Sequence, residues 1–273
     1  MPDEEAQAAM ETGVSQTTMR GAVPLAPAWH TAVLLVAIAA ASLHGASLAG
    51  TQAAPNRLVI YGMTATLEVA MLGWVAFGVR MRGSSLRSLL GAMAGGSRGV
   101  MADLGVAFVF WIAVLMILGS LGLMWSGMED AVMHRQSITQ AAHPLAPSPS
   151  QQAAIRAVAR LAPGNATEAA CWILLCLLAG FAEEVVFRGY LQQQFTAWTS
   201  GARTAGVVFS ALAFGAAHGY QGMRNMVLLA VFGVLFSLLA LLRGNLRACI
   251  FAHGWHDVIA GLTVSALRAH HLL

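Results

Sequence analysis

The chain has 273 residues, of which 58% are hydrophobic and 10% are charged, and its formal net charge is +3. This composition excludes a soluble protein built around one core. A net charge this small for the length of the chain gives no reason to expect a nucleic-acid partner. We therefore predict an all-α polytopic transmembrane bundle of about seven spans, each of about twenty residues.

The first half of the chain consists mainly of apolar stretches long enough to span a membrane. Residues 1–28 carry four acidic side chains before the first span and lack the basic start of a secretory signal, so we expect a disordered tail. Residues 29–126 are predicted to form three transmembrane helices, at 30–48, 58–79 and 102–125. The second contains Glu68. A lone glutamate at this depth either bonds to a neighbouring helix in its neutral form or faces an active cavity, and the sequence leaves both open.

The second half begins after a long connection. Residues 127–167 are polar and Pro-rich, which favours an extended linker followed by a short amphipathic helix. Residues 168–267 are predicted to be a four-helix catalytic core, with spans at 168–198, 203–220, 225–242 and 246–267. The loops between these spans are only a few residues long, so neighbouring helices must be antiparallel and in contact.

The first of these four spans contains two carboxyl groups and a guanidinium in an apolar run. A charge at membrane depth costs on the order of 3 kcal/mol on insertion scales, so such charges need a partner and a purpose. Glu184 and Arg188 are four residues apart and can form an ion pair on one helix face. Glu183 is rotated by about 100° from Glu184. It is therefore free to act as a general base.

Two further polar groups follow on later spans. His218 and Glu183 each lie 15 residues from the turn that joins their predicted helices. A rise of 1.5 Å per residue puts both at the same depth, about 22 Å from that turn. On the last span, His253 and Asp257 face one way and could bind a metal or stabilise an oxyanion. His256, one turn from His253, is not a motif position, and we interpret it as a packing residue or as one that supports the site residues from behind. Paired buried polar groups could explain one such site more easily than three.

Three motifs in order carry a resemblance to a known family. Residues 183–188 fit EExxxR, residues 214–218 fit FxxxH and residues 253–257 fit HxxxN/D. The chain thus resembles the CPBP family of intramembrane proteases, which includes CAAX prenyl endopeptidases of the Rce1 type and bacterial bacteriocin-processing and immunity proteins. The resemblance covers residues 168–267, and the first half matches only as generic membrane helices.

The resemblance implies a role for each motif residue. Glu183 looks like the catalytic glutamate, which with His218 would position and deprotonate the attacking water. His253 and Asp257 look like the pair that stabilises the tetrahedral oxyanion. Arg188 looks like the partner that fixes Glu184. Many family members have Asn where this chain has Asp257. An amide donates a hydrogen bond directly, whereas an aspartate must be protonated or act through His253.

The same residues could instead bind a metal ion. Glu183, His218, His253 and Asp257 supply enough nitrogen and oxygen ligands for a zinc site with an open position, and the first three would be its ligands. The family carries both metallo- and glutamic-protease labels. The Glu184 and Arg188 pair balances charge without an ion, which favours a metal-independent mechanism, but zinc remains open.

We therefore expect an intramembrane endopeptidase of the bacterial inner membrane, in contact with lipid. Its substrate would be a membrane-associated peptide or protein tail, either prenylated or bacteriocin-like. A proton-coupled transporter is one alternative, because intramembrane Glu, His and Asp also build proton relays. A non-proteolytic scaffold or immunity protein is another, and it would tolerate the loss of Glu183.

Overall fold

The computed structural model describes residues 23–49, 56–92, 95–136 and 148–270, and these ranges are almost entirely helical. In chain order the helices are α1 (Ala28–Ala49), α2 (Arg57–Arg80), α3 (Leu86–Leu89), α4 (Gly96–Gln136), α5 (Pro149–Leu161), α6 (Ala166–Glu183), a π-helix (Glu184–Leu191), α7 (Gln192–Trp198), α8 (Arg203–Ala217), a 3-10 turn (Gly219–Gln221), α9 (Met223–Arg243) and α10 (Arg247–Ala269). Within the described ranges β geometry is limited to one isolated bridge, between Gly91 and Asn245. The predicted all-α bundle is confirmed.

Fewer helices than predicted meet the requirements for a membrane span. Among the described residues, five helices are long and apolar enough: Ala28–Ser47, Arg57–Arg80, Gly96–Met133, Ala166–Trp198 and Met223–Arg243. Helix α8 is apolar but has only 15 residues, and at 1.5 Å per residue it is shorter than a hydrocarbon core of about 30 Å. Helix α10 has 23 residues, but polar side chains interrupt its apolar sequence. The expected count of about seven spans is therefore five by this measure.

The long connection is shorter than its sequence suggests. Helix α4 continues past residue 125 to Gln136, because its apolar residues extend into the predicted linker. The predicted amphipathic helix exists as α5, whose first turn is capped by the Ser148 hydroxyl accepting from Gln151 N. The middle of the connection, residues 137–147, and most of the expected disordered tail lie outside the described residues.

Helix α6, the π-helix and α7 follow one another without a break and form one long helical rod. The rod starts at Asn165, whose side chain accepts a hydrogen bond from Glu168 N. All eight residues of the π-helix are buried. The Phe187 carbonyl accepts the i→i+5 backbone hydrogen bond from Gln192 N, and a carbonyl oxygen can accept a second bond. The hydroxyl of Ser210 on α8 donates to the Phe187 carbonyl at 2.6 Å.

Helix α1 is held against this rod by a chain of polar contacts. His30 donates from Nε2 to the Trp74 carbonyl at 2.8 Å, which leaves Nδ1 to accept from the Tyr190 hydroxyl at 3.0 Å. Tyr190 in turn accepts from Thr31 at 2.7 Å. These groups are buried. Their mutual satisfaction therefore fixes the position of α1 relative to the π-helix.

A second polar cluster fixes the turn between α9 and α10. Asp103 on α4 is 2% exposed, and its carboxylate accepts from Arg243 at 2.6 Å and lies 3.2 Å from Arg247. The backbone bridge between Gly91 and Asn245 lies at the same turn. The start of α10 is thus fixed by ionic and backbone contacts.

Glycines set the distance between the helices that carry the motifs. A Cβ atom at Gly180 on α6 would lie 2.8 Å from the backbone nitrogen of Gly254 on α10. Gly215 makes a similar approach, since its Cβ would lie 2.5 Å from the Met226 carbonyl on α9. Gly215 therefore packs α8 closely against α9, whereas Gly219 lies against Ser42 on α1, and the close approach to α6 is made by α10.

We predict that Gly180→Val separates α6 from α10, because backbone atoms of Gly254 cannot move away as a side chain could. Overpacking of this kind costs about 1–3 kcal/mol. Thermal denaturation in detergent should show a lowered Tm. Gly73→Val on α2 is the matched control, since nothing lies within 4 Å of a Cβ at that position. Equal Tm values for the two variants would contradict the close crossing.

Candidate active site

The first and third motifs meet where α6 passes into the π-helix and faces His253 on α10. The Oε1 atom of Glu184 accepts from Arg188 Nη1 at 2.9 Å and from His253 Nδ1 at 2.8 Å. Glu184 is fully buried, and Arg188 and His253 are 2% and 3% exposed. A buried charge is tolerated only when it is paired. One carboxylate oxygen therefore fixes both a cation on its own helix and an imidazole on another.

Aromatic rings enclose this pair. The guanidinium carbon of Arg188 lies 4.4 Å from the ring centroid of Phe214 and 5.4 Å from that of Phe236. The ring of Phe232 lies 5.2 Å from the His253 ring. Two guanidinium nitrogens of Arg188 have no hydrogen-bond partner. The faces of the rings stabilise that part of the cation while excluding water from the Glu184 carboxylate.

The other nitrogen of His253 faces two more carboxyl groups. Its Nε2 atom lies 3.7 Å from Glu183 Oε2 and 3.6 Å from Asp257 Oδ2. Glu183 Oε2 is buried and has no hydrogen-bond partner, whereas the Asp257 side chain is about one-third exposed. The two adjacent glutamates thus approach one imidazole through its two different nitrogens. Glu184 has hydrogen bonds from Arg188 and His253, whereas Glu183 Oε2 has only the longer ionic contact with His253, which leaves it available to hydrogen-bond a reacting group.

His218 lies just beyond the end of α8, because that helix ends at Ala217 rather than at residue 220. Its Nδ1–H donates to the Phe214 carbonyl at 2.9 Å, which leaves the Nε2 lone pair available as an acceptor. His218 is within electrostatic range of Asp257. In the described part of the chain it makes no hydrogen bond to Glu183, so any joint action of these two residues requires a molecule between them.

Tyr220 adds a neutral polar group next to His218. Its ring centroid is 6.0 Å from that of His218, and its hydroxyl accepts from Gln221 Nε2 at 3.0 Å. Burial raises the pKa of Tyr220 to about 12, and nearby carboxylates, including Glu183, contribute to this rise. The phenol is therefore a hydrogen-bond donor or acceptor at neutral pH and not a base. Tyr220 was missed in the sequence because it belongs to no motif.

Two residues whose roles the sequence left open also lie at the site. Glu68 is 4% exposed, and it is within electrostatic range of Glu183 and Asp257. His256 packs against Phe232 with ring centroids 5.4 Å apart, and its Nδ1 has no hydrogen-bond partner. His256 therefore lines the aromatic side of the site, as a packing residue would.

Asp103 was also missed in the sequence, although it lies at the start of a predicted span. The signal that could have found it is the pair Arg243 and Arg247, which flank a very short turn and need a counter-ion. Asp103 makes no contact with the motif residues. It acts on the site only by fixing the start of α10.

The metal ligands considered above do not converge. Among the described residues, no group of three or more His, Cys, Asp or Glu side chains could hold a metal ion. His253 and His218 each use Nδ1 within the fold, for Glu184 and for a backbone carbonyl, and each keeps Nε2 for other contacts.

Comparison with known proteins places the motifs in a family. Residues 165–259 match the family described as type II CAAX prenyl endopeptidase Rce1-like. No curated protein and no solved structure matched the chain. The matched segment contains every motif residue and ends before the last turns of α10.

We predict that Arg188→Met strongly destabilises the protein, because it leaves the Glu184 carboxylate buried beside apolar rings without its cation. Removing one partner of a buried pair costs about 3–5 kcal/mol. The double variant Arg188→Met with Glu184→Gln should recover much of that loss, since it removes both charges. Urea or thermal unfolding in detergent measures both, and Arg98→Ala, at an exposed position, is the control. A single variant as stable as wild type would show that the pair does not bear on stability.

Proposed function

We propose that this chain, a member of the CPBP family through its Rce1-like domain at residues 165–259, hydrolyses a peptide bond of a membrane-associated peptide or protein tail. A CAAX/CPBP-type intramembrane endopeptidase is what the domain supports in general. One observation carries the finer proposal: Glu183 presents a buried carboxylate oxygen without a partner, beside an imidazole that Glu184 fixes in place.

Glu183 and His218 activate the attacking water. A water between the two would donate one proton to the Glu183 carboxylate and a hydrogen bond to the free Nε2 of His218. The low dielectric of the aromatic surroundings favours loss of charge from the carboxylate in that step. The hydroxide then adds to the carbonyl carbon of the scissile bond.

His253 and Asp257 face the oxyanion that this addition creates. With Nδ1–H donated to Glu184, His253 presents Nε2 to the reacting atoms. In its imidazolium form, which the flanking carboxyl groups stabilise, Nε2–H donates to the oxyanion. Asp257 contributes in its neutral form, as an O–H donor. When the C–N bond breaks, the proton taken up by Glu183 passes to the leaving amine, and the carboxylate is restored.

The surroundings of the site suit a substrate that is already at a membrane. Large apolar side chains are exposed along the spans, as at Leu123 and Leu242, which are 73% and 84% exposed. Such surfaces are stable against lipid and not against water. A prenylated or bacteriocin-like peptide tail would be held in the same lipid bilayer as the enzyme. We propose the bacterial inner membrane as the location.

The catalytic role of Glu183 is tested by Glu183→Gln, which keeps size and hydrogen bonding but cannot accept a proton. Loss of a general base lowers the rate by about 100-fold or more. The probe is a farnesylated CAAX peptide in lipid vesicles, with the same peptide lacking the prenyl group as a second arm, and cleavage is followed by mass spectrometry. Arg98→Ala at matched protein levels should cleave like wild type.

Two results would count against this mechanism. Equal cleavage by wild type and Glu183→Gln would show that the peptide is not cut through Glu183, and it would favour the scaffold or transport functions. Cleavage of only the unprenylated peptide would retain the protease but exclude a prenylated substrate.

Asp257 can donate to the oxyanion only when its carboxyl group is protonated, whereas an amide at this position would donate directly. Asp257→Asn supplies an N–H donor without needing a proton, so its kcat should equal or exceed that of wild type. Asp257→Ala removes the donor, and loss of one oxyanion donor lowers kcat by about 100-fold or more. The comparison is a kcat measurement on the same peptide. An inactive Asn variant would mean that the carboxylate form of Asp257 is required.

A further inference from the structure

Glu68 is a buried acid that the proposed mechanism does not use. It lies on α2, outside the segment that matches the family, and α2 packs along α6. Most of α2 is exposed, with Glu68 among its few buried residues. A polar group is thus turned inward on a helix whose surface is otherwise apolar.

The surroundings of Glu68 are carboxyl groups and not cations. Glu183 and Asp257 are within its electrostatic range, and Tyr220 is affected by all three. In the described part of the chain Glu68 forms no ion pair, and its Oε2 atom has no hydrogen-bond partner. Glu183 Oε2 shares that property. Two unpartnered carboxyl oxygens therefore lie in the same buried region.

An unpaired carboxylate at this depth is too costly to keep, so a carboxyl group without a cation is neutral there. His253 Nε2 lies 3.7 Å from Glu183 and 3.6 Å from Asp257, so both carboxyl groups have an imidazole beside them. Glu68 has no such neighbour. As a neutral acid it has one O–H donor, and a buried donor needs an acceptor.

We propose that Glu68 is a further residue of the active site, which donates a hydrogen bond to the oxyanion of the scissile carbonyl. The inference rests on the proposed protease function. The acceptor that a buried O–H group requires is supplied when a substrate carbonyl enters between Glu183 and Asp257. The additional donor also accounts for how an aspartate can stand at position 257, where an amide would donate directly.

The kinetic test compares Glu68→Gln with Glu68→Leu on the farnesylated CAAX peptide. The amide of Gln retains a donor, so kcat should stay within about threefold of wild type, whereas Leu should lower kcat by about 100-fold, as expected for a lost oxyanion donor. Tm should not fall for Leu, because it removes an unpartnered polar group from an apolar region. Val69→Leu, an exposed neighbour on the same helix, is the control and should match wild type in both measurements.

Each other kinetic result would overturn the proposal. A Leu variant with wild-type kcat would place Glu68 outside the reaction. A Leu variant that loses activity and Tm together would make it a structural residue. A Gln variant as slow as Leu would show that the ionised carboxylate is needed, which a donor role excludes.

A spectroscopic test needs no substrate, so it separates failure of this inference from failure of the proposed function. The infrared difference spectrum of wild type minus Glu68→Gln at neutral pH should contain the carbonyl stretch of a protonated carboxylic acid. If the difference contains only carboxylate bands, Glu68 is ionised and the inference is wrong, whether or not any peptide is cleaved.

Discussion

The buried pairing of Glu184 with Arg188 and His253 is the contact on which the rest of the site depends. A carboxylate with no exposure can remain ionised only if its charge is offset, and here one oxygen contacts both partners. The pairing also orients His253, since a hydrogen bond to Nδ1 determines which way Nε2 points. Charge balance and orientation are therefore supplied by the same three side chains.

The packing of the helices positions the side chains that make this contact. The close crossing of α6 and α10 at Gly180 and Gly254 brings the glutamates to His253. Asp103 fixes the start of α10 through Arg243 and Arg247, and Tyr190 fixes α1 against the π-helix. These contacts lie away from the reacting groups. They hold the site rigid without adding polar atoms to it, which keeps the interior dry and strengthens the electrostatic interactions there.

The site combines groups that are satisfied with groups that are not. Glu184 and His218 have definite partners within the fold, which determine ring orientation and tautomer. Glu183 and Glu68 each leave a buried oxygen without a hydrogen-bond partner, as does Oε2 of Glu184, but only Glu184 uses its other oxygen to contact both Arg188 and His253. Unsatisfied buried polar atoms cost stability, so they are retained where a substrate or water completes them. The division separates the residues that hold the site from those we propose to act on the peptide.

The sequence by itself determined the helical class, the ion pair at positions 184 and 188, and the shared face of His253 and Asp257, because these follow from local periodicity and apolar composition. It also predicted the amphipathic helix α5. Only the tertiary structure decided the rest. Three features depend on how helices distant in sequence cross: the end of α8 before His218, the contact of His253 with both glutamates, and the burial of Glu68 on α2 within electrostatic range of Glu183. Side-chain spacing along one helix gives the face of a residue but not the neighbour that the face meets.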